Sequence, residues 1–180
     1  STIGHTVYDA AQTSLYGNWL YQSIFSDSRH KYVTGLSFRY EDYQEQLALD
    51  QYDFREIVPG AFFEYTYLPD DRLTAVGGIR LDYHNIYGWI FNPRLHLRYA
   101  PDETLVFRAS AGSGMRTPLP IAENLGWLAS SRDWTIGEPG QTSNDFPYNG
   151  LEMERAWNFG ASIQKEFTID YRSGLVAIDF

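Results

Sequence analysis

Hydrophobic and polar residues alternate along much of the chain, and the pattern is clearest in the segment that begins at Thr104. One parity of this segment is apolar and comprises Leu105, Phe107, Ala109 and Ala111. The other is polar apart from Val106 and comprises Thr104, Arg108, Ser110 and Gly112. Successive side chains of a strand point to opposite faces, so the pattern predicts a strand with one apolar and one polar face.

The same alternation predicts eight strands in all. They cover residues 15–25, 32–42, 56–68, 73–83, 91–100, the segment from 104, residues 152–166, and the segment after a turn at 168–172. The runs are about 10–12 residues long, which suits a tilted membrane strand and is roughly twice the mean strand of a globular domain. Residues 1–14 are predicted to be the end of a loop.

The connections and the aromatic residues favour a membrane. Short turns are predicted at 26–30, 69–72, 101–103 and 168–172, and they alternate with longer loops at 44–55, 84–90 and 115–151. Aromatic residues lie near both strand ends, namely Phe25, Tyr67 and Tyr99 at short turns and Tyr40, Tyr83 and Trp89 at the other ends. Such an arrangement is typical of transmembrane β-barrels. We therefore predict an all-β fold, an antiparallel transmembrane β-barrel segment of about eight strands.

Composition agrees with this fold and limits the function. Of the 180 residues, 43% are hydrophobic and 17% aromatic, yet the mean hydropathy is −0.39. A sheet with one apolar and one wet face gives this combination without any long apolar run. The formal net charge of −9 argues against a nucleic-acid partner, because binding phosphates needs clustered Lys and Arg. The absence of cysteine excludes disulfides and thiolate metal sites in this chain.

Three stretches carry a family resemblance: residues 94–101 (RLHLRYAP), 109–118 (ASAGSGMRTP) and 122–124 (AEN). This order of strand, turn, strand, small residues, Arg-x-Pro and Glu resembles the β-barrel of TonB-dependent outer-membrane receptors. Met115 stands where an aromatic residue is common in that family. Residues 129–132 (ASSR) and the sequence as a whole are most similar to Bacteroidetes-type receptors. The resemblance extends from about residue 15 to residue 180.

The resemblance implies a barrel of about 22 strands around a plugged lumen, of which this chain would supply roughly a third. It implies a bacterial outer-membrane location and TonB-energised uptake of a scarce nutrient such as a siderophore–iron complex or cobalamin. The implied partners are outer-membrane lipid, that small-molecule ligand, and the TonB complex acting through a plug domain; a surface lipoprotein stays open. Residues 1–5 (STIGH) do not resemble a signal peptide. We therefore expect the chain to be part of a longer protein, with the plug domain and the remaining strands absent.

The predicted loop 115–151 contains the best candidates for ligand binding. Aromatic side chains beside polar groups can stack on a flat ligand or can pack the loop onto itself, and both interpretations stay open. The candidates are Trp127, Arg132, Trp134, Phe146 and Tyr148. At the start of the loop, Arg116, Pro118 and Glu123 are predicted to anchor it to the barrel rim, with ligand contact as the alternative.

Charged residues on the polar parity are predicted to form a wall of ion pairs. The cations are Arg39, Arg80, Arg94, Arg98 and Arg108, and the acids are Glu41, Glu64, Asp82 and Glu154. Contact with a ligand or a plug is the alternative for these residues. In either case the polar face is expected to be wet.

No pattern of catalytic or metal-binding residues is present. The histidines His5, His30, His84 and His96 lack the spacing of a metal site, and there is no nucleophile elbow, phosphate loop or dinucleotide fingerprint. We expect no enzymatic activity and no cofactor. Two other hypotheses stay open: a soluble secreted β-sandwich that binds carbohydrate, and a complete small outer-membrane barrel that ends at Phe180.

Overall fold

The computed structural model describes residues 2–3, 6–47, 50–51, 53–124, 126 and 151–180. Within these residues, ten strands form one antiparallel sheet, and a short helix follows the eighth strand. The strands are β1 Thr2–Ile3, β2 Thr6–Ile24, β3 His30–Leu47, β4 Asp50–Gln51, β5 Phe54–Tyr67, β6 Leu73–His84, β7 Gly88–Asp102, β8 Leu105–Arg116, β9 Glu154–Ile169 and β10 Arg172–Asp179, and the helix is α1 Pro120–Glu123.

The eight long strands form an antiparallel meander, in which each strand pairs with the next one along the chain. The order is β2, β3, β5, β6, β7, β8, β9 and β10, while β1 adds to β2 and β4 adds to β3. The sheet is open, because β2 and β10 lie at opposite ends of this order. The predicted all-β antiparallel fold with about eight long strands is confirmed.

The register places the apolar parity of neighbouring strands on the same face. One row of paired residues runs Trp19, Leu36, Ala61, Leu81 and Phe91 across five strands. The four large side chains of this row are between 45% and 58% exposed. This surface is called the apolar face, and the opposite surface the polar face.

The strands are longer than the sequence pattern predicts. β3 continues to Leu47 and β5 begins at Phe54, so most of the predicted loop 44–55 is strand. β2 begins at Thr6, so the prediction of a loop over residues 1–14 is wrong for the described part of that segment. Backbone pairing with a neighbouring strand continues where the apolar pattern has ended, because the ladder needs no apolar side chains.

The connection at 84–90 is predicted to be the shortest of the longer loops, and it is shorter still, since only three residues separate β6 from β7. Asn85 holds this turn against β5: its side-chain oxygen accepts from the Ile57 N–H at 2.8 Å, and its side-chain nitrogen donates to the Arg55 carbonyl at 2.9 Å. Gly88 closes the turn with a φ of 76°, which glycine adopts without strain. The side chain of Asn85 thus fixes this short turn to the backbone of β5.

The described residues form a single layer. Large side chains on the apolar face are widely exposed, as Ile79 at 53% and Phe159 at 75% illustrate. The β-sandwich hypothesis needs a second sheet against this face, and the described part of the chain has none. The hypothesis of a complete small barrel needs β2 to pair with β10, and it does not. No described helix is long and apolar enough to cross a membrane.

Candidate functional site: the base of the long loop

Arg116 joins the two ends of the segment that connects β8 to β9. It is the last residue of β8 and the direct partner of Glu154, the first residue of β9. Its Nε donates to Glu154 Oε2 at 2.6 Å, and its Nη1 lies 2.9 Å from Glu123 Oε1 of α1. One guanidinium therefore holds a carboxylate from each side of the segment, a geometry for which the planar Arg fork is suited.

The segment after Arg116 folds back immediately. Pro118 is buried, and α1 begins at Pro120, where the missing proline N–H costs nothing because the first helical N–H groups have no helical partner. The Glu123 N–H donates to the Leu119 carbonyl at 2.9 Å. Ile121 is 2% exposed, so this one turn of helix is fixed by burial of an apolar side chain.

A buried polar cluster lies on the polar face at the same end of the sheet. His84 at the end of β6 is 0% exposed and Glu56 near the start of β5 is 1% exposed. Glu56 Oε2 lies 3.5 Å from Arg39 Nη2, and Glu56 Oε1 lies 3.6 Å from His84 Nε2. The Thr117 hydroxyl faces the same carboxylate from the loop segment. The cluster connects three strands to the start of the long loop.

One hydrogen bond of His84 indicates its tautomer. The Ile86 N–H donates to Nδ1 at 3.1 Å, so Nδ1 is an acceptor and the ring proton lies on Nε2. That proton points toward the Glu56 carboxylate. A metal ligand would offer Nε2 as an acceptor, so this tautomer suits a structural contact rather than a metal site.

Tyr87 connects the cluster to the far end of the loop. Its ring lies edge-on to His84, with centroids 4.9 Å apart, and its hydroxyl donates to the Leu151 carbonyl at 3.2 Å. Burial, and after it the negative charge of Glu56, raises the pKa of Tyr87 to about 12. The hydroxyl therefore stays protonated and can donate throughout the physiological pH range.

The polar face below this cluster carries ion pairs. Arg80 Nε lies 2.7 Å from Asp82 Oδ2, and Arg94 pairs with Glu64 across the intervening strand β6. Glu64, Gly78 and Arg94 lie in one row, so the pair can close only because Gly78 has no side chain between them. The expected ion-pair wall is therefore present in this part of the sheet.

The structure brings together only part of the predicted site. Arg116 and Glu123 are in contact, and Pro118, which lies between them in the sequence, is buried. The five ligand-binding candidates lie outside the described residues; they are Trp127, Arg132, Trp134, Phe146 and Tyr148. Among the residues with described positions, no three His, Asp or Glu side chains gather as a metal site would require.

Sequence analysis missed the buried partners of this site. The alternation places Glu56 and His84 on the polar parity, but nothing in it distinguishes them from exposed polar residues. Their neighbours include residues distant in sequence, namely Arg39 beside Glu56 and Thr117 of the loop segment. The one available signal was the Arg-Thr-Pro sequence at 116–118, whose threonine faces Glu56.

The family of the chain follows from comparison with known proteins. A family model described as "TonB dependent receptor-like, beta-barrel" matches residues 2–178. Among solved structures, the siderophore receptor PirA from Pseudomonas aeruginosa superposes with a TM-score of 0.61 at 16% sequence identity. That match covers 96% of this chain and 32% of the PirA chain, so this chain spans about a third of that receptor. No curated protein matches the sequence. The chain belongs to the β-barrel family of TonB-dependent receptors.

Proposed function

We propose that this chain is a segment of the barrel wall of a bacterial outer-membrane receptor, which takes up a scarce small molecule with energy supplied through TonB. The observation that carries the proposal is the family match over nearly the whole chain together with an open two-faced sheet. The full-length protein would add the plug domain and the remaining strands. Its relation to Bacteroidetes-type receptors is part of the proposal.

In this function the apolar face contacts lipid. Side chains such as Trp19, Leu36 and Ile79 are more than half exposed and would be unfavourable in water in such number. Aromatic residues gather at the short-turn end, where the rings of Phe25 and Tyr32 stack with centroids 4.2 Å apart. Such a belt matches the interface of a bilayer, where rings meet headgroups.

The polar face would line the lumen. Its paired charges keep that surface hydrated and hold the strands in register. The long-loop end would face the outside of the cell, where Trp127, Arg132, Trp134, Phe146 and Tyr148 would meet the ligand. A siderophore–iron complex or cobalamin is the proposed nutrient class, and a surface lipoprotein is a further proposed partner.

Arg116, Pro118 and Glu123 are proposed to anchor the long loop to the barrel rim. The support is the double ion pair of Arg116, which links the loop start to β9, and the buried Ile121 that follows. Side chains that hold the loop base would set the position of the aromatic residues farther along it. Their effect on ligand binding would therefore be indirect.

The test is uptake by cells. A strain lacking the full-length protein should lose uptake of labelled ferric siderophore or cobalamin, and the wild-type gene should restore uptake only in cells with a functional TonB system. A Trp127→Ala, Trp134→Ala variant should weaken ligand binding at normal surface abundance. Fractionation of the protein with the cytosol, or unaffected uptake of every scarce nutrient tested in the deletion strain, would contradict the proposal.

A further inference from the structure

The arginines of the polar face fall into two groups. Six of them lie in the described residues, and four of these have carboxylate partners. The four pairs are Arg39 with Glu56, Arg80 with Asp82, Arg94 with Glu64, and Arg116 with Glu123 and Glu154. Arg98 and Arg108 differ, since neither forms an ion pair with any described acid. Within the part of the chain that the structure describes, the wall therefore contains two neighbouring cations that form no ion pair.

These two arginines lie directly opposite each other. They are partners in the β7–β8 ladder, so their side chains leave the same face from adjacent strands. Like charges at directly opposite positions destabilise a sheet. Arg108 donates to Gln164 Oε1 at 3.0 Å, a neutral acceptor that does not offset its charge, and the Arg98 guanidinium has no hydrogen-bond partner among the described residues.

The surroundings of the pair contain a few further hydrogen-bond donors among apolar residues. Both arginines line a cavity of about 370 Å³ near the short-turn end of the polar face. His96, Ser110 and Ser162 line the same cavity. Asp179 also lines the cavity. It lies in the same row of paired residues as Arg108, with Ser162 between them, and it forms no ion pair with either arginine. An anion in this cavity would meet two guanidinium groups and the hydroxyl groups of two serines, while the Asp179 carboxylate and Val76 are also part of the lining.

We propose that Arg98 and Arg108 form an oxyanion site on the polar face whose natural occupant is a carboxylate. Two guanidinium groups can each give a pair of parallel N–H donors to a carboxylate, and the anion offsets the repulsion between them. The carboxylate comes either from a small anion in the lumen or from an acidic side chain elsewhere in the full-length protein. If the carboxylate comes from a small anion, the proposed receptor has a substrate class, namely ligands that carry carboxylates. Only this statement about the substrate rests on the proposed function.

The direction in which a neutralising substitution shifts the thermal unfolding midpoint tests the site. If nothing occupies it, Arg98→Gln or Arg108→Gln removes a repulsion and raises the thermal unfolding midpoint of the purified full-length protein in detergent. If a carboxylate occupies it, each substitution removes an attraction, and the midpoint falls by about 2 °C or more. With the carboxylate present, whether internal or added as citrate, we expect a fall for both variants. The double variant should lose less than the sum of the single ones, because both arginines hold the same group.

A second measurement identifies the source of the carboxylate. The unfolding midpoint is compared in sodium citrate and in sodium chloride at equal ionic strength. A small-anion site predicts an extra rise with citrate in the wild type that both variants lose. An internal carboxylate predicts the fall on substitution with no extra rise. Either result supports the oxyanion site and tells the two sources apart.

Arg94→Gln is the matched control, since it changes the same charge on the same strand and face but breaks an existing pair with Glu64. It should lower the midpoint and keep any extra rise with citrate, which also corrects for the general stabilising effect of citrate. The proposal is overturned if Arg98→Gln or Arg108→Gln raises the midpoint, or leaves it unchanged, in sodium citrate as well as in sodium chloride, with no citrate-specific difference from the wild type. That result would leave the uptake function standing, because unfolding is measured without transport.

Discussion

Glycines on the polar face allow long side chains to cross from strand to strand. Gly60 lies in a row between Ser37 and Asp82, and a β-carbon at Gly60 would lie 1.8 Å from Asp82 Oδ1. Asp82 in turn holds Arg80, which donates to Ser37 Oγ at 2.6 Å. One missing side chain thus permits a compact network over three strands.

Gly60→Ala is therefore expected to destabilise the full-length protein by about 1–3 kcal/mol, the usual cost of adding a methyl group where there is no room. Unfolding by urea in lipid vesicles, followed by tryptophan fluorescence, measures the change. Gly77→Ala is the control, because Gly77 lies on the apolar face of the next strand with no atom within 4 Å of an added β-carbon. Equal effects of the two substitutions would contradict the explanation.

His84 gives a second prediction at the scale of single residues. His84→Leu leaves the buried Glu56 carboxylate facing an apolar group and removes the hydrogen bond from Ile86. Removing the imidazole that faces this buried carboxylate at 3.6 Å is expected to cost roughly 1–3 kcal/mol. Because Thr117 faces the same carboxylate, the loop base should loosen, and hydrogen exchange at residues 117–123 should become faster.

His96→Leu is the matched control for His84. His96 is an exposed histidine on the same face, one strand away, and it lies in the cavity near the short-turn end rather than beside residues 117–123. Exchange at residues 117–123 should be unchanged in this variant. Unchanged exchange in His84→Leu as well would show that the buried cluster does not hold the loop.

At the scale of elements, the turn between β6 and β7 shows how a short connection can support a long one. Asn85 fixes the turn to β5, and Tyr87 extends from it to Leu151, where the chain returns from the long loop. The turn therefore touches both the buried cluster and the C-terminal end of the loop. It is a second attachment point besides Arg116.

Tyr87→Phe is expected to change how stability depends on pH. Burial raises the pKa of Tyr87 to about 12, whereas an unfolded tyrosine titrates near pH 10. Below pH 10 the hydroxyl is protonated in both states and contributes no pH dependence. Between these values only the unfolded state loses its proton, so the stability of the wild type falls as the pH rises.

Urea unfolding of both proteins between pH 9 and about pH 12 measures this dependence. The decline should be shallower in Tyr87→Phe, since all other tyrosines are common to the two proteins. Identical slopes would mean that Tyr87 titrates as an exposed tyrosine and is not held under the loop.

The lengths of the strands also belong to this scale. Alternation located all eight long strands, although β2 extends far before its predicted start, and the residues it assigned to each face lie on that face. It placed the ends badly at β2, β3 and β5, because there charged and polar residues continue the ladder without an apolar row. Backbone pairing sets those ends, and a single sequence does not show which strand will be the neighbour.

At the scale of the whole molecule, the two faces imply two solvents. Ile79 on the apolar face and Asn158 on the polar face are both exposed, and they lie on opposite faces of the sheet. The proposed function assigns lipid to the first residue and water to the second.

Ile79→Lys is therefore expected to destabilise the full-length protein in lipid vesicles by about 2–4 kcal/mol, the cost of a cation near the middle of a bilayer. Asn158→Lys should cost much less, because the lysine would face water. Unfolding by guanidinium chloride measures both. A small and equal effect at the two sites would mean that the apolar face does not meet lipid.

The sequence by itself determined the strand class, the assignment of side chains to two faces and the family, because alternation and a short local motif are properties of neighbouring residues. Only the tertiary structure decided the buried cluster of Glu56 and His84, the double ion pair of Arg116, and the opposition of Arg98 to Arg108. Each depends on register between strands or on a segment distant in sequence. Burial and pairing are relations across the sheet, and they exist only once the strands are aligned.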